Sequence, residues 1–236
     1  MAPGGVSDRG IGAGQLLRWP VGARSSPAAM NAFTVERDAF DAAYLRSLAR
    51  QVRASAWFTV NTLNRDFVGT RGFSVVFRQT SLGRVGREFP GFQRYVDRAL
   101  GADCNAFYLN PLLLVAGSRV DPHIDRSLRS YCAEIDPPVR VTVLYVEVPP
   151  ALRGGDLVLA RGRRHLGRVT PSERALVTFD GDLTHSVEPV ESDGSRMSLV
   201  CEQYRLTDDE LEKIPEFTVE SRAGAYAADA PTRRRR

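Results

Sequence analysis

The sequence has few cysteines, and their spacing excludes the common cysteine-based frameworks. The 236 residues contain three cysteines, at Cys104, Cys132 and Cys201, which lie far apart and form no C-x-x-C pair. An odd number of separated cysteines favours neither a disulfide framework nor a zinc knot. A reducing compartment suits such a chain best, so we expect a cytoplasmic protein.

Long hydrophobic runs are also missing from the chain. No apolar stretch approaches the roughly 20 residues that are needed to span a bilayer. The N-terminal residues lack the apolar core of a signal peptide, so the sequence does not favour export. We therefore expect no membrane partner.

Excess positive charge is concentrated at the C-terminus. The formal net charge is +4, and residues 233–236 are all arginine. Without this tail the chain is near neutral, so the high pI is a weak argument for nucleic acid. We expect no nucleic-acid partner, and nothing in the pattern predicts an oligomeric state.

The composition is that of an ordinary globular protein, with 43% hydrophobic and 25% charged residues. Residues 1–30, rich in Gly, Ala, Ser, Pro and Arg, are predicted to be disordered, and Met30 is an alternative start. Residues 31–104 are interpreted as a supporting region of helices and strands, and residues 105–206 as the core. Residues 207–236 are predicted to form a short helix and a disordered basic tail.

The core region has the pattern of an all-β fold. Short strand-like runs with turn residues between them recur at intervals of about 8–12 residues, which predicts a sandwich or jelly roll. Pro111 is expected to break a strand. In the supporting region, hydrophobic spacing predicts a helix over 36–54, and residues 81–87 are interpreted as a loop. We therefore expect a mainly β protein with flanking helices.

The chemically distinctive residues begin with His123 and Asp125, two positions apart. Residues i and i+2 of an extended segment point to the same side, so this imidazole and carboxylate face a common point. His185 follows a later hydrophobic strand. Two histidines and one carboxylate form the facial triad of non-haem Fe(II) oxygenases. The remaining histidine, His165, lies among arginines and is expected to be exposed and to bind no metal.

Four features in this order resemble the Fe(II)/2-oxoglutarate-dependent dioxygenases, in particular their prolyl-4-hydroxylase-like branch. They are His123-x-Asp125, the turn Gly154-Gly155-Asp156-Leu157, His185, and Arg196-x-Ser198. The resemblance extends over about residues 108–206. It implies a double-stranded β-helix core, which is a cupin-like jelly roll, and a glycine turn that lets two strands meet tightly.

The resemblance also implies a set of ligands for Fe(II) and 2-oxoglutarate. His123, Asp125 and His185 would bind the iron. Family halogenases lack the carboxylate, so the presence of Asp125 favours hydroxylation over halogenation. Ascorbate would be a supporting reductant.

The cosubstrate would bind deeper in the core, at Arg196. A guanidinium offers paired N–H donors that match a carboxylate, so Arg196 would bind the distal carboxylate of 2-oxoglutarate. Ser198 lies on the same strand face and can add a donor. Tyr145 is a further candidate donor, and a core tyrosine with a satisfied hydroxyl is an equally good interpretation.

The substrate is less well defined than the cofactors. Arg126, Arg129 and Tyr131 follow the metal motif, where the family often has a mobile substrate loop, and further arginines (Arg71, Arg78, Arg84) are expected to cover the mouth. This pattern hints at an acidic or carboxylate-bearing substrate. A solvated basic face explains it equally well.

We expect the enzyme to hydroxylate an unactivated C–H bond of a peptidyl side chain or a free amino acid. Two alternatives stay open. The same cofactor chemistry could serve desaturation, cyclisation or epimerisation of a small natural product. The chain could also be a non-catalytic cupin-like binding module, although such a module does not need the anchor that Arg196 would provide.

Overall fold

A computed structural model of the protein describes residues 1, 32–61 and 66–222. The segment predicted to be disordered at the N-terminus and the arginine tail lie outside these residues, apart from Met1. Contacts between residues divide the chain after Asn31, and the described residues from Ala32 onward form one compact unit.

Strands dominate this unit, and they pair antiparallel in every case that the structure describes. The strands are β1 (Phe33–Glu36), β2 (Thr59–Asn61), β3 (Phe67–Gly72), β4 (Ser74–Arg78), β5 (Ala106–His123), β6 (Arg140–Glu147), β7 (Leu157–Arg161), β8 (Arg164–Val169), β9 (Leu176–Asp180), β10 (Thr184–Val187), β11 (Ser195–Tyr204) and β12 (Phe217–Glu220). The helices are α1 (Ala42–Ala54), α2 (Leu82–Glu88), α3 (Gln93–Ala99) and α4 (Asp208–Lys213). Within the described ranges, none of them is long and apolar enough to cross a membrane.

The main sheet curls until its two ends meet. Its strand order is β1-β9-β6-β11-β5-β10-β7-β8. The end strands β1 and β8 are in contact, because a Cβ at Gly167 would lie 2.5 Å from the ring of Phe33. A sheet whose edges approach in this way encloses an interior, as the expected jelly roll requires.

Strand β5 is the hub of the fold. It is 18 residues long and pairs with β11 and β10, and also with β3 and β4. Pro111, which was expected to break a strand, lies inside β5 opposite Leu199 of β11. It lies where β5 changes partner: β5 pairs with β4 up to Leu109 and with β3 from Leu112 onward. At this junction a missing N–H removes little from the ladder.

The curled sheet has two distinct faces. On β6, Leu144 and Val146 pack against the helical layer, whereas Val141, Val143 and Tyr145 face the interior. This alternation follows from the two-residue period of a strand. Helix α1 covers the outer face with a stripe of buried side chains: Tyr44, Leu45, Leu48, Ala49 and Val52.

In the supporting region, the structure differs from the sequence prediction at the helix expected over residues 36–54 and at the loop expected over residues 81–87. The predicted helix over 36–54 begins only at Ala42, because the Asp41 side chain accepts from the N–H of Tyr44 (2.8 Å) and caps it there. Residues 81–87 are not a loop: α2 covers most of them. Val85 is fully buried, so tertiary packing stabilises a short helix of weak intrinsic propensity.

The C-terminal segment is folded onto the core. The expected short helix is α4, and Thr207 and Glu210 form a capping box at its start. Strand β12, within the residues expected to form a tail, pairs with β4. Arg78 of β4 fixes the connection, since its Nε and Nη2 both donate to the carbonyl of Ile214 (2.8 and 2.5 Å).

We expect replacement of Arg78 by alanine to lower the free energy of unfolding by about 2 kcal/mol, because hydrogen bonds from a charged, part-buried donor are lost. Urea denaturation of Arg78→Ala measures this change, with the exposed Arg46→Ala as the control. Equal stability of the two variants would show that the C-terminal segment is held by other contacts.

Candidate metal centre

The three predicted metal ligands come together through strand pairing. His185 of β10 lies directly opposite His123 of β5, and their ring centroids are 4.3 Å apart. Asp125 follows the end of β5, with Oδ1 3.2 Å from His123 Nε2 and Oδ2 3.3 Å from His185 Nε2. One possible ligand atom from each residue lies within 4.8 Å of the others.

Both imidazoles are oriented by backbone carbonyls. His123 Nδ1 lies 2.8 Å from the carbonyl of Asp121, and His185 Nδ1 lies 3.2 Å from the carbonyl of Leu183. Each ring therefore presents Nε2 to the common point beside Asp125. Metal-ligating histidines in proteins usually use the second ring nitrogen in this way.

The charges of the three groups are strongly coupled. Burial works to lower the pKa of His123, but the hydrogen bond and the charge of Asp125 raise that pKa to about 9. Burial works to raise the pKa of Asp125, yet the charge of His185 and the hydrogen bond to His123 hold it well below its usual value. A buried carboxylate between two imidazoles is the donor set that suits Fe(II) and similar divalent ions.

A buried cation lies deeper in the same interior. Arg196 is 1% exposed, and its Nε and Nη1 atoms have no hydrogen-bond partner. Burial lowers the pKa of this guanidinium. A buried charge without a partner is costly, so the site fits an anionic ligand.

Two further predicted residues share this face. Ser198 lies opposite Tyr145 across β11 and β6, and the hydroxyl of Tyr145 is buried without a hydrogen-bond partner. The Cζ atom of Arg196 is 5.4 Å from the centre of the Tyr145 ring. Unsatisfied donors from both side chains are therefore available at one place.

A single pocket connects the histidines with the arginine. It is lined by His123, Asp125, His185, Tyr145, Arg196 and Ser198. The walls between these groups are apolar, and they include Phe67, Leu112, Val120, Leu157, Val187 and Val200. Electrostatic interactions gain strength in such surroundings.

The double-glycine turn lies beside the arginine. Gly154 and Gly155 have φ of +70° and +74°, a region that favours glycine. A Cβ on Gly154 would lie 2.1 Å from the carbonyl oxygen of Pro189, and one on Gly155 would lie 3.2 Å from Arg196 Nε. The turn thus packs closely against the segment that follows β10, through an isolated bridge between Gly154 and Val190, and also against Arg196.

The three suggested substrate residues lie on the segment after Asp125. Arg126 is exposed. Arg129 Nε donates to the carbonyl of Ile135 (2.9 Å), and the hydroxyl of Tyr131 donates to Glu220 (2.5 Å). Arg129 and Tyr131 therefore brace their own segment, and none of the three is among the described residues that line the pocket.

The other arginines expected at the mouth also have structural contacts. Arg78 holds the C-terminal segment, as described above. Arg84 pairs with Glu88 (2.6 Å), and Arg71 lies over the ring of Phe58. None of these three lines the pocket in the described part of the chain, so the hint of an acidic substrate is weakened. His165 is exposed, as expected.

Sequence reasoning missed Glu202, a buried carboxylate near the metal ligands. Glu202 is 3% exposed and accepts from the N–H (3.1 Å) and hydroxyl (2.5 Å) of Ser127 and from the hydroxyl of Tyr204. Burial and the nearby charge of Asp125 raise its pKa to about 8. The two-residue period of a strand could have indicated this residue, because Glu202 is an even number of positions from Arg196 and so lies on the same face of β11.

Two solved structures show what this architecture is similar to. A Pseudomonas putida prolyl-4-hydroxylase is 18% identical, with a TM-score of 0.52, over 76% of this chain and 95% of that chain. The chain has the fold of the prolyl-4-hydroxylases. A Trichoplax adhaerens prolyl hydroxylase, in complex with a hypoxia inducible factor peptide fragment, is 15% identical with a TM-score of 0.50, over 77% and 86% of the two chains.

The similarity is one of three-dimensional fold. No protein-family model matches the chain, and no curated protein sequence does. At this level of identity the expected jelly-roll core is confirmed, as is the resemblance to the prolyl-4-hydroxylase fold. The chemistry of the site has to be argued from its own residues.

The metal-free protein should lose stability as the pH rises from about 6.5 to about 9. The folded state binds the His123 proton more tightly than the unfolded chain does, so this contribution is complete below the ordinary pKa and disappears through the raised one. Glu202, whose pKa is also raised, acts in the same direction. Urea denaturation at several pH values tests this, and His123→Gln should show a flatter profile. Stability that increases over this range would contradict the assignment.

Proposed function

We propose that the protein is an Fe(II)- and 2-oxoglutarate-dependent oxygenase. The observation that carries the proposal is the content of one pocket. It holds two imidazoles, a carboxylate and an unpaired, buried guanidinium. The first three groups suit a ferrous ion, and the guanidinium suits the carboxylate of a ligand that also reaches the metal.

The metal would be held by His123, Asp125 and His185. Three protein donors leave other coordination positions for ligands, as oxidation chemistry on Fe(II) requires. The carbonyl contacts at both Nδ1 atoms keep the two rings from rotating away. The position of Asp125 between the rings balances part of the positive charge of the ion.

The cosubstrate would be oriented by Arg196, Tyr145 and Ser198. The free Nε and Nη1 atoms of Arg196 can donate to a carboxylate, and the unpartnered hydroxyl of Tyr145 can add a third hydrogen bond. Binding of a dianion would remove the cost of leaving the guanidinium unpaired. The same donors discriminate against neutral ligands, because those ligands would leave the charge buried and unsatisfied.

Bound Fe(II) would supply the oxidation: with O₂, 2-oxoglutarate becomes succinate and CO₂, and the second oxygen atom enters a C–H bond of the substrate. The protein would position the substrate and the cosubstrate and would surround them with an apolar pocket wall. Phe67, Leu157 and Val187 line the pocket beside the histidines. Their apolar surfaces exclude water from the reacting groups.

We infer hydroxylation of a peptidyl side chain or a free amino acid as the outcome. The carboxylate of Asp125 supports hydroxylation over halogenation. The Trichoplax neighbour, which binds a peptide, supports a peptide substrate. Product mass separates this outcome from desaturation, since hydroxylation adds one oxygen atom and desaturation removes two hydrogen atoms.

The decisive test is 2-oxoglutarate binding in the presence of Mn(II), followed by O₂-dependent succinate formation with Fe(II), ascorbate and a pool of peptides and amino acids. Arg196→Met should weaken 2-oxoglutarate binding about 100-fold, because loss of two charge-assisted hydrogen bonds corresponds to about 3 kcal/mol. Arg205→Met, at an exposed arginine just after β11, is the matched control.

Two results would count against the proposal. One is wild-type protein that binds neither Mn(II) nor 2-oxoglutarate, which would favour a non-catalytic module. The other is binding that Arg196→Met leaves unchanged, which would place the carboxylate elsewhere.

A further inference from the structure

The segment that follows the metal motif determines where the carboxylate of Asp125 can lie. After Asp125 the chain turns at Arg126 into a short 3-10 helix, Ser127–Ser130. Asp125 lies beyond the last residue of β5, so its backbone is not fixed by strand pairing on its C-terminal side. Its side chain contacts His123 and His185, and on the C-terminal side the restraint comes from the contacts of the 3-10 helix.

Glu202 of β11 makes the contacts that hold the start of this helix. Its Oε2 accepts from the backbone N–H of Ser127 (3.1 Å) and its Oε1 accepts from the Ser127 hydroxyl (2.5 Å). A carboxylate at the first N–H of a helical turn satisfies a donor that has no partner within the turn. Because Ser127 is two residues from Asp125, this bond restrains the turn that carries the metal ligand.

Glu202 has no evident role other than this restraint. It is not one of the residues whose ligand atoms converge on the candidate metal position, and it does not line the pocket. A buried carboxylate is expensive, and an apolar residue of similar volume would often serve the fold as well. Its third contact, from the hydroxyl of Tyr204, orients it toward Ser127.

We propose that Glu202 is a positioning residue of the metal centre, which holds Ser127 so that the carboxylate of Asp125 points at the ion. The inference rests on the proposed function, because it assigns Glu202 to the same site. Residues that orient metal ligands in other proteins change metal affinity by about 10–100-fold when they are replaced.

The far end of the same segment offers a matched control. There the hydroxyl of Tyr131 donates to Glu220 of β12 (2.5 Å). This contact has the same chemistry as the bond between Ser127 and Glu202, and it braces the same segment away from Asp125. Glu220→Gln therefore tests whether any loosening of the segment has the same effect.

The experiment measures Mn(II) affinity by electron paramagnetic resonance and the thermal unfolding of the metal-free protein. Glu202→Gln should weaken Mn(II) binding at least about tenfold, while the unfolding temperature of the metal-free protein stays close to that of the wild type. Ser127→Ala should show a smaller loss, because the N–H contact remains. Glu220→Gln should bind Mn(II) as the wild type does.

Each contrary result has a distinct meaning. Equal Mn(II) affinity in Glu202→Gln and the wild type overturns the positioning role and leaves the proposed function intact. Equal losses in Glu202→Gln and Glu220→Gln overturn it too, since general packing would then be responsible. A wild-type protein that binds no Mn(II) overturns both the proposed function and this inference.

Discussion

The pairing of β5 with β10 and β11 is the constraint on which the rest of the site depends. One register places His185 opposite His123, and another places Arg196 opposite Leu114. A slip of one residue in either pair would turn these side chains to the other face of the sheet. The long, curved β5 holds both registers at once, so a metal position and an anion position lie in one pocket.

The electrostatics of that pocket favour the binding of charged ligands. Arg196 is buried with unsatisfied donors, and Asp125 lies between two imidazoles, with its oxygens 3.2 and 3.3 Å from their Nε2 atoms. Without a ligand, the unpaired charge of Arg196 destabilises the interior, and the charge of Asp125 is balanced only by the two imidazoles. A divalent cation and a dicarboxylate would satisfy them together.

Much of the site was predictable from the sequence, because strand alternation and motif order depend on local spacing. The shared direction of His123 and Asp125 follows from strand alternation, whereas the role expected for Arg196 follows from the resemblance. The jelly roll follows from the spacing of short strands and from the resemblance together. The contact between Ser127 and Glu202 spans 75 positions, so only the folded chain reveals it. The roles of arginines were equally hidden, since a sequence does not show whether a guanidinium faces solvent, a carbonyl or a ring.

The central claim is that one ferrous ion and one 2-oxoglutarate bind together in this pocket. The most direct measurement is the visible absorption of the oxygen-free protein with Fe(II) and 2-oxoglutarate, since chelation through the keto oxygen produces a charge-transfer band. The account predicts a band that disappears in His185→Ala and when succinate replaces 2-oxoglutarate. No band in the wild type, or an unchanged band in His185→Ala, would contradict it.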